Sequence, residues 1–169
     1  MIGDEMIHGG EWHELLSCDK VKSRGTGWGF PGPDVATMQK HLKLIFKGRS
    51  DNAEPAKVFL YVGAADCNGG TSVTLTTSNY RNLVNEVRSL APNAKIYLQA
   101  VLPLNNASKN TEYVVPFNEN LKKMAEEMEN VEFVDTYTPL AQNNLPNSTY
   151  MNGNYVYGRG YAKLTQIIA

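Results

Sequence analysis

The sequence predicts an α/β fold built on a parallel sheet, and three observations carry that expectation. Three apolar runs, at 57–63, 95–102 and 131–135, are rich in β-branched and aromatic residues and lack strict polar alternation. Strands covered on both faces look like this. Helical periodicity lies between the runs, and alternating strand and helix implies parallel strands joined by right-handed crossovers.

In chain order, Pro33-Asp34 opens a helix with Val35, Met38, Leu42 and Ile45 on one face, since proline is tolerated in a first turn. The run Lys57–Gly63 is the clearest strand. Ser78 is the expected cap of a helix carrying Tyr80, Leu83, Val84, Val87 and Leu90, which Pro92 ends. After the strand at 95–102 a helix starts near Pro116, with Phe117, Leu121, Met124, Ala125 and Met128 inward and Lys122, Lys123, Glu126 and Glu127 outward. The strand at 131–135 precedes a polar stretch, 142–154, that holds five Asn and one Pro and reads as a long loop. A last helix starts near Gly158 and carries Tyr161, Leu164 and Ile168. In such a fold functional groups belong on loops at the carboxyl ends of strands, here near Gly3, Gly25, Gly63, Pro103 and Thr136.

The 169 residues suit one domain spanning 1–169, with no repeat or linker dividing it. Sixteen basic residues against seventeen acidic ones give a net charge of −1, which argues against a nucleic-acid binder, and no basic stripe stands out. No apolar run reaches the roughly 18 residues that span a bilayer. Cys18 and Cys67 sit in apolar contexts and read as buried free thiols. The opening Met1-Ile2-Gly3-Asp4 has neither the basic nor the apolar region of a signal peptide, and the compartment stays open. His8, His13, Glu5, Glu11, Glu14 and Asp4 crowd the first loop, but the two histidines are five residues apart and match no helical i, i+4 ligand pair, so no metal or cofactor is expected. Thr71, Ser72 and Cys67 follow the strand at 57–63 without a histidine in reach, and read as turn chemistry.

Four loop ends carry a recognisable pattern. Ile2-Gly3-Asp4-Glu5 resembles the first block of the SGNH, or GDSL, hydrolase superfamily, where Gly-Asp-Ser bears the nucleophile. Ser23-Arg24-Gly25 resembles the second block, whose glycine donates an N–H to the oxyanion hole, and Gly63-Ala64-Ala65-Asp66 the third, Gly-x-Asn-Asp. Asn152-Gly153-Asn154-Tyr155 stands where the fifth block has Asp-x-x-His, and 158–164 resembles the helix that follows. Segments 96–104, 118–121 and 134–135 match in the right order as well. The resemblance implies a three-layer α/β/α sandwich with a five-stranded parallel sheet, flavodoxin-like in form. It also implies kinship with small esterases that remove acetyl or other short acyl groups.

The resemblance puts the chemical positions at Glu5, Gly25, Ala65, Asn152 and Tyr155, and of these only Gly25 matches the family. Serine hydrolysis needs a nucleophile, a base, a group orienting the base and oxyanion donors. A carboxylate attacking an ester would form an anhydride, less stable than the ester being cut. Tyrosine titrates near about pH 10, too high for a base at neutral pH. Asn152 cannot hold an imidazolium, and the missing donor at Ala65 costs about 10²–10³ in rate. The expectation is a non-catalytic homologue with a binding or regulatory role. Glu5, Gly25, Asn152 and Tyr155 would then face a carbohydrate or acyl-bearing small ligand, with Glu5 hydrogen-bonded in the old oxyanion hole. An ester hydrolase with an unorthodox site and an interaction subunit with a vestigial cleft remain as alternatives.

Overall fold

The computed structural model describes residues 1–25, 32–47 and 54–169. Strand β1 (Ile2–Gly3) runs into the short helix α1 (Glu5–His8), followed by α2 (Trp12–Leu15), β2 (Arg24–Gly25), α3 (Val35–Lys47) and β3 (Lys57–Tyr61). Then come α4 (Ala64–Asn68), α5 (Val73–Leu90), β4 (Lys95–Gln99), α6 (Ala107–Lys109), a π-helical turn over Asn110–Val114, α7 (Val115–Glu127) and β5 (Val131–Val134). A 3₁₀ turn (Thr138–Leu140), the strand pairs β6 (Ala141–Gln142) with β7 (Leu145–Pro146) and β8 (Met151–Asn152) with β9 (Tyr155–Val156), and α8 (Gly158–Ile168) complete the order.

The five principal strands form one parallel sheet in the order β2-β1-β3-β4-β5. Because side chains alternate along a strand, the sheet feeds two cores. Val58, Leu60, Ile96 and Leu98 pack with Val35, Met38, Leu42, Leu83, Val87, Phe117 and Leu121 of α3, α5 and α7. Tyr61, Phe59, Tyr97 and Val134 pack on the other side with Ile7, Trp12, Leu164 and Ile168 of α1, α2 and α8. The expected three layers and five parallel strands are present.

Local differences have local causes. Helix α5 begins at Val73, capped by the Ser72 hydroxyl, which accepts the Leu75 N–H at 3.2 Å; Ser78 lies inside the helix. Inside α5, Thr77 Oγ1 donates to Val73 O at 2.7 Å, and Thr76 accepts the Tyr113 hydroxyl from the π-helical turn. Helix α7 starts at Val115 with Pro116 in its first turn, as expected, and further helical turns lead into it from Ala107, where Asn106 accepts the Lys109 N–H at 3.0 Å. The stretch 142–154 is two tight antiparallel hairpins, with Asn143, Asn144 and Gly153 at positive φ in the turns. Cys67 is buried as expected, but Cys18 is exposed, following Ser17 in a turn with φ +48°.

Candidate functional site

Strand ends deliver the candidate residues. Gly3 pairs with Gly25 and with Tyr61, so the carboxyl ends of β1, β2 and β3 lie side by side. Glu5 opens α1 directly after β1, and Ala65 lies in the first turn of α4 directly after β3. Gly25 packs so closely on α1 that a Cβ would overlap the His8 backbone, which gives this glycine a structural reason of its own. Gly63 adopts φ +134° and faces the Phe117 ring at 2.7 Å from where a Cβ would stand, so only glycine makes the turn into α4.

Two carboxylates follow β1 with different fates. Asp4 is the N-cap: its Oδ1 accepts the Met6 N–H at 3.1 Å, and its Oδ2 is buried with no hydrogen-bond partner. Burial, reinforced by the charge of Glu5, pushes the Asp4 carboxyl well above the usual carboxylate range. Glu5 is half-buried, and its Oε2 is likewise without a partner. The expected donation to Glu5 from Gly25, Asn152 and Tyr155 is therefore not made to that oxygen. The physical reason lies in the cap: Asp4, one residue earlier, takes the free helix N–H that a carboxylate here would seek.

Asn152 and Tyr155 face each other across the β8–β9 hairpin. The hairpin docks on the loop after β4, where the Asn105 N–H donates to Asn154 Oδ1 at 2.8 Å. Tyr155 keeps 58% of its surface exposed, and Tyr157 beside it keeps 40%, with the Arg159 guanidinium 5.4 Å from its ring. Behind α1, the Tyr161 hydroxyl donates to Met6 O at 3.1 Å, and burial together with Glu5 and Asp4 pushes its pKa up to about 12.

The wall that follows β4 is buried irregular backbone, so each of its polar groups needs a partner. Ala100 O accepts the Thr136 hydroxyl at 2.5 Å. The Asn118 amide receives the Val101 N–H at 2.8 Å and donates to Val101 O at 2.9 Å. The Leu102 N–H donates to the Tyr61 hydroxyl at 3.1 Å. Asn110 does for Leu104 what Asn118 does for Val101, at 2.8 and 2.7 Å, and also donates to Asn144 O at 2.8 Å. Side-chain amides thus continue the ladder of β4 past the strand's end. Asn118 falls in a segment the resemblance covers; the roles of Asn110, Asn105 and Asp4 have no signature readable from residue type alone.

The Asp66 carboxylate reaches across to α3, accepting the Val35 N–H at 2.9 Å. Its burial raises its pKa against the lowering effect of that bond, and Asp34 raises it further. The other sequence candidates are elsewhere engaged: Ser72 caps α5, Cys67 is buried, and the exposed His13 lies 3.9 Å from both Glu11 and Glu14. Among the described residues no three of His, Cys, Asp and Glu gather as metal ligands. Two surface cavities, of about 340 and 260 Å³, are lined by other residues than Glu5, Gly25, Ala65, Asn152 and Tyr155.

With this geometry in place, the comparisons are consistent. The family model for GDSL-like lipase/acylhydrolases matches residues 7–161. No curated protein matches the chain by sequence. Among solved structures, a candidate platelet activating factor from Streptococcus pneumonia superposes with TM-score 0.81 at 21% identity, covering 99% of this chain and 79% of that one. A candidate lipolytic protein of the G-D-S-L family from Desulfitobacterium hafniense gives 0.78 at 18%, covering 99% and 94%. A family 3 carbohydrate esterase from Clostridium thermocellum gives 0.65 at 17%, covering 99% and 90%. At these identities the likeness is one of fold. Among the described residues no helix is long and apolar enough to cross a membrane.

Proposed function

Because the chain belongs to the GDSL-like lipase/acylhydrolase family, we propose that it keeps the family's fold and cleft but holds a carbohydrate or acyl-bearing small ligand there without serine-ester chemistry. The observation that carries the reading is at the end of β1. The position that resembles the nucleophile opens α1 as a glutamate, with a buried oxygen that no donor meets. A carboxylate there sets negative charge beside the place where an oxyanion would form, and it cannot yield a stable acyl intermediate. At the position that resembles the base, the hairpin presents Tyr155, largely exposed. A phenol there lacks the imidazole nitrogen that takes the proton of a nucleophilic hydroxyl. The same ring, with Tyr157, offers a face for a sugar or an acyl chain.

Steady-state hydrolysis of an aryl acetate tests the catalytic half. The chain and its Glu5→Ser variant give background rates. The quadruple variant Glu5→Ser, Ala65→Asn, Asn152→Asp, Tyr155→His gives measurable turnover, because triad positions act as a unit. Saturable turnover by the unaltered chain, abolished by changing Glu5, overturns the reading in favour of an ester hydrolase with an unorthodox site. Titration with acetylated oligosaccharides tests the binding half: Tyr155→Ala weakens binding, whereas no binding to any of them points to a vestigial cleft.

A further inference from the structure

The outer face of α3 carries a feature that the cleft does not use. Lys40, Lys43, Leu44 and Lys47 stand at i, i+3, i+4 and i+7 and so form one stripe along the helix. All four are exposed, Leu44 at 67%. The opposite face of α3 is fully committed, with Val35, Met38, Leu42 and Phe46 in the core. The helix holds no acidic residue. Carboxylates bond its N-terminal turn, Asp34 taking the Thr37 N–H at 2.7 Å and Asp66 the Val35 N–H at 2.9 Å, and Gln39 donates to Glu86 of α5 at 3.0 Å. Among the described residues no ion pair engages Lys40, Lys43 or Lys47. The His41 ring turns back on its own helix, bonding Thr37 O at 2.8 Å. In a protein of net charge −1, the folded helix therefore concentrates positive charge that composition conceals.

We propose that this stripe is a docking surface for an anionic phospholipid bilayer, with the three lysines over the headgroups and Leu44 as an apolar insert among them. Charge complementarity sets the sign of the partner. Three features choose the lipid surface over other polyanions. The stripe is a convex helix ridge, which fits a broad deformable surface and offers no groove to a peptide. Its cations are all lysines, point charges without the bidentate fork that phosphate-by-phosphate recognition of nucleic acid favours. At its centre stands an exposed leucine, which gains from the boundary between headgroup and acyl chain and gains nothing on a sugar–phosphate backbone. The lysine stems can lie along the interface while their ammonium groups stay in water. Each lysine near such a surface is worth about a fivefold change in partitioning, and three together about a hundredfold.

The test is vesicle co-flotation of the full chain at low and high salt. Vesicles of pure phosphatidylcholine are compared with vesicles containing phosphatidylglycerol. Binding is expected to the anionic vesicles only, to disappear at high salt as screening demands, and to fall about a hundredfold in K40Q/K43Q/K47Q. Leu44→Ser lowers it several-fold with the salt dependence kept. All four positions are exposed, and circular dichroism of each variant confirms that the fold is unchanged. Equal binding to neutral vesicles, no binding to anionic ones, or undiminished binding by the triple variant each overturns the proposal. Binding to an RNA homopolymer without binding to vesicles overturns it in favour of a nucleic-acid surface. None of these outcomes depends on whether the cleft hydrolyses an ester.

Discussion

At the scale of single residues, Asp4 shows the clearest conflict between position and environment. Its Oδ1 is used as a cap and its Oδ2 is buried without a partner. Its carboxyl is raised by burial, so the folded state binds the proton more tightly than the unfolded chain does. Stability from such a group is present below the unfolded pKa, near about 4, and is lost as pH rises toward the folded value. Asp4→Asn keeps the capping oxygen and removes the titration. The variant is expected to match the parent near pH 4 and to exceed it by about 1–3 kcal/mol near neutrality. Denaturant midpoints across that range measure the gap, and a gap that does not change with pH rules the argument out. The sequence located Asp4 and Glu5 through one motif but could not rank them. Which carboxylate caps the helix depends on where α1 starts, and a four-residue helix leaves no periodicity to read.

Among elements, legibility followed length. The strands β3, β4 and β5 and the helices α3, α7 and α8 were visible as apolar periodicity, because each buries a full face. The two-residue strands β1 and β2 have no such signal and were reached only through the motif glycines. The hairpins at 141–156 looked like a loop because their ladders are two residues long and their turns rest on Asn143, Asn144 and Gly153 at positive φ. Attachment of the β6–β7 hairpin depends on Asn110, fully buried, which serves both backbone groups of Leu104 and the carbonyl of Asn144. Asn110→Ala strands these groups, at about 1–3 kcal/mol for each one that water cannot reach. A loss of about 3 kcal/mol or more is expected in chemical denaturation, with faster amide exchange across 141–146. A loss under 1 kcal/mol would mean that the hairpin is held by something else.

On the scale of the whole molecule, the two sides of the sheet are unequally supported. Strand β3 pairs with β4 over Lys57–Leu60, and β4 with β5 over Ile96–Gln99, whereas β1 meets β2 and β3 through two residues each. Tertiary links at the strong end join α5 to the π-helical turn, Tyr113 to Thr76, and to α7, Asn120 to Thr77. Native-state hydrogen exchange is expected to be slowest in β3, β4 and α5 and to reach β1 and β2 first. Uniform protection across the sheet would contradict this. Glu5 and Gly25, the positions that resemble the family's first two blocks, thus lie at the less supported end of the sheet, while the Asn118 and Asn110 wall belongs to the firmer one.

The unmet Oε2 of Glu5 bears on the history of such a chain. Much of the surrounding wall is mutationally locked, because Gly25, Gly63, Asn110 and Asn118 each satisfy something that no other side chain would. Position 5 is different: no hydrogen bond holds the buried Oε2, so a smaller hydroxyl there removes an unsatisfied polar atom and breaks no bond to it. A hydroxyl can replace the carboxylate at position 5 with the architecture left standing, but serine-ester chemistry would need positions 65, 152 and 155 to change with it.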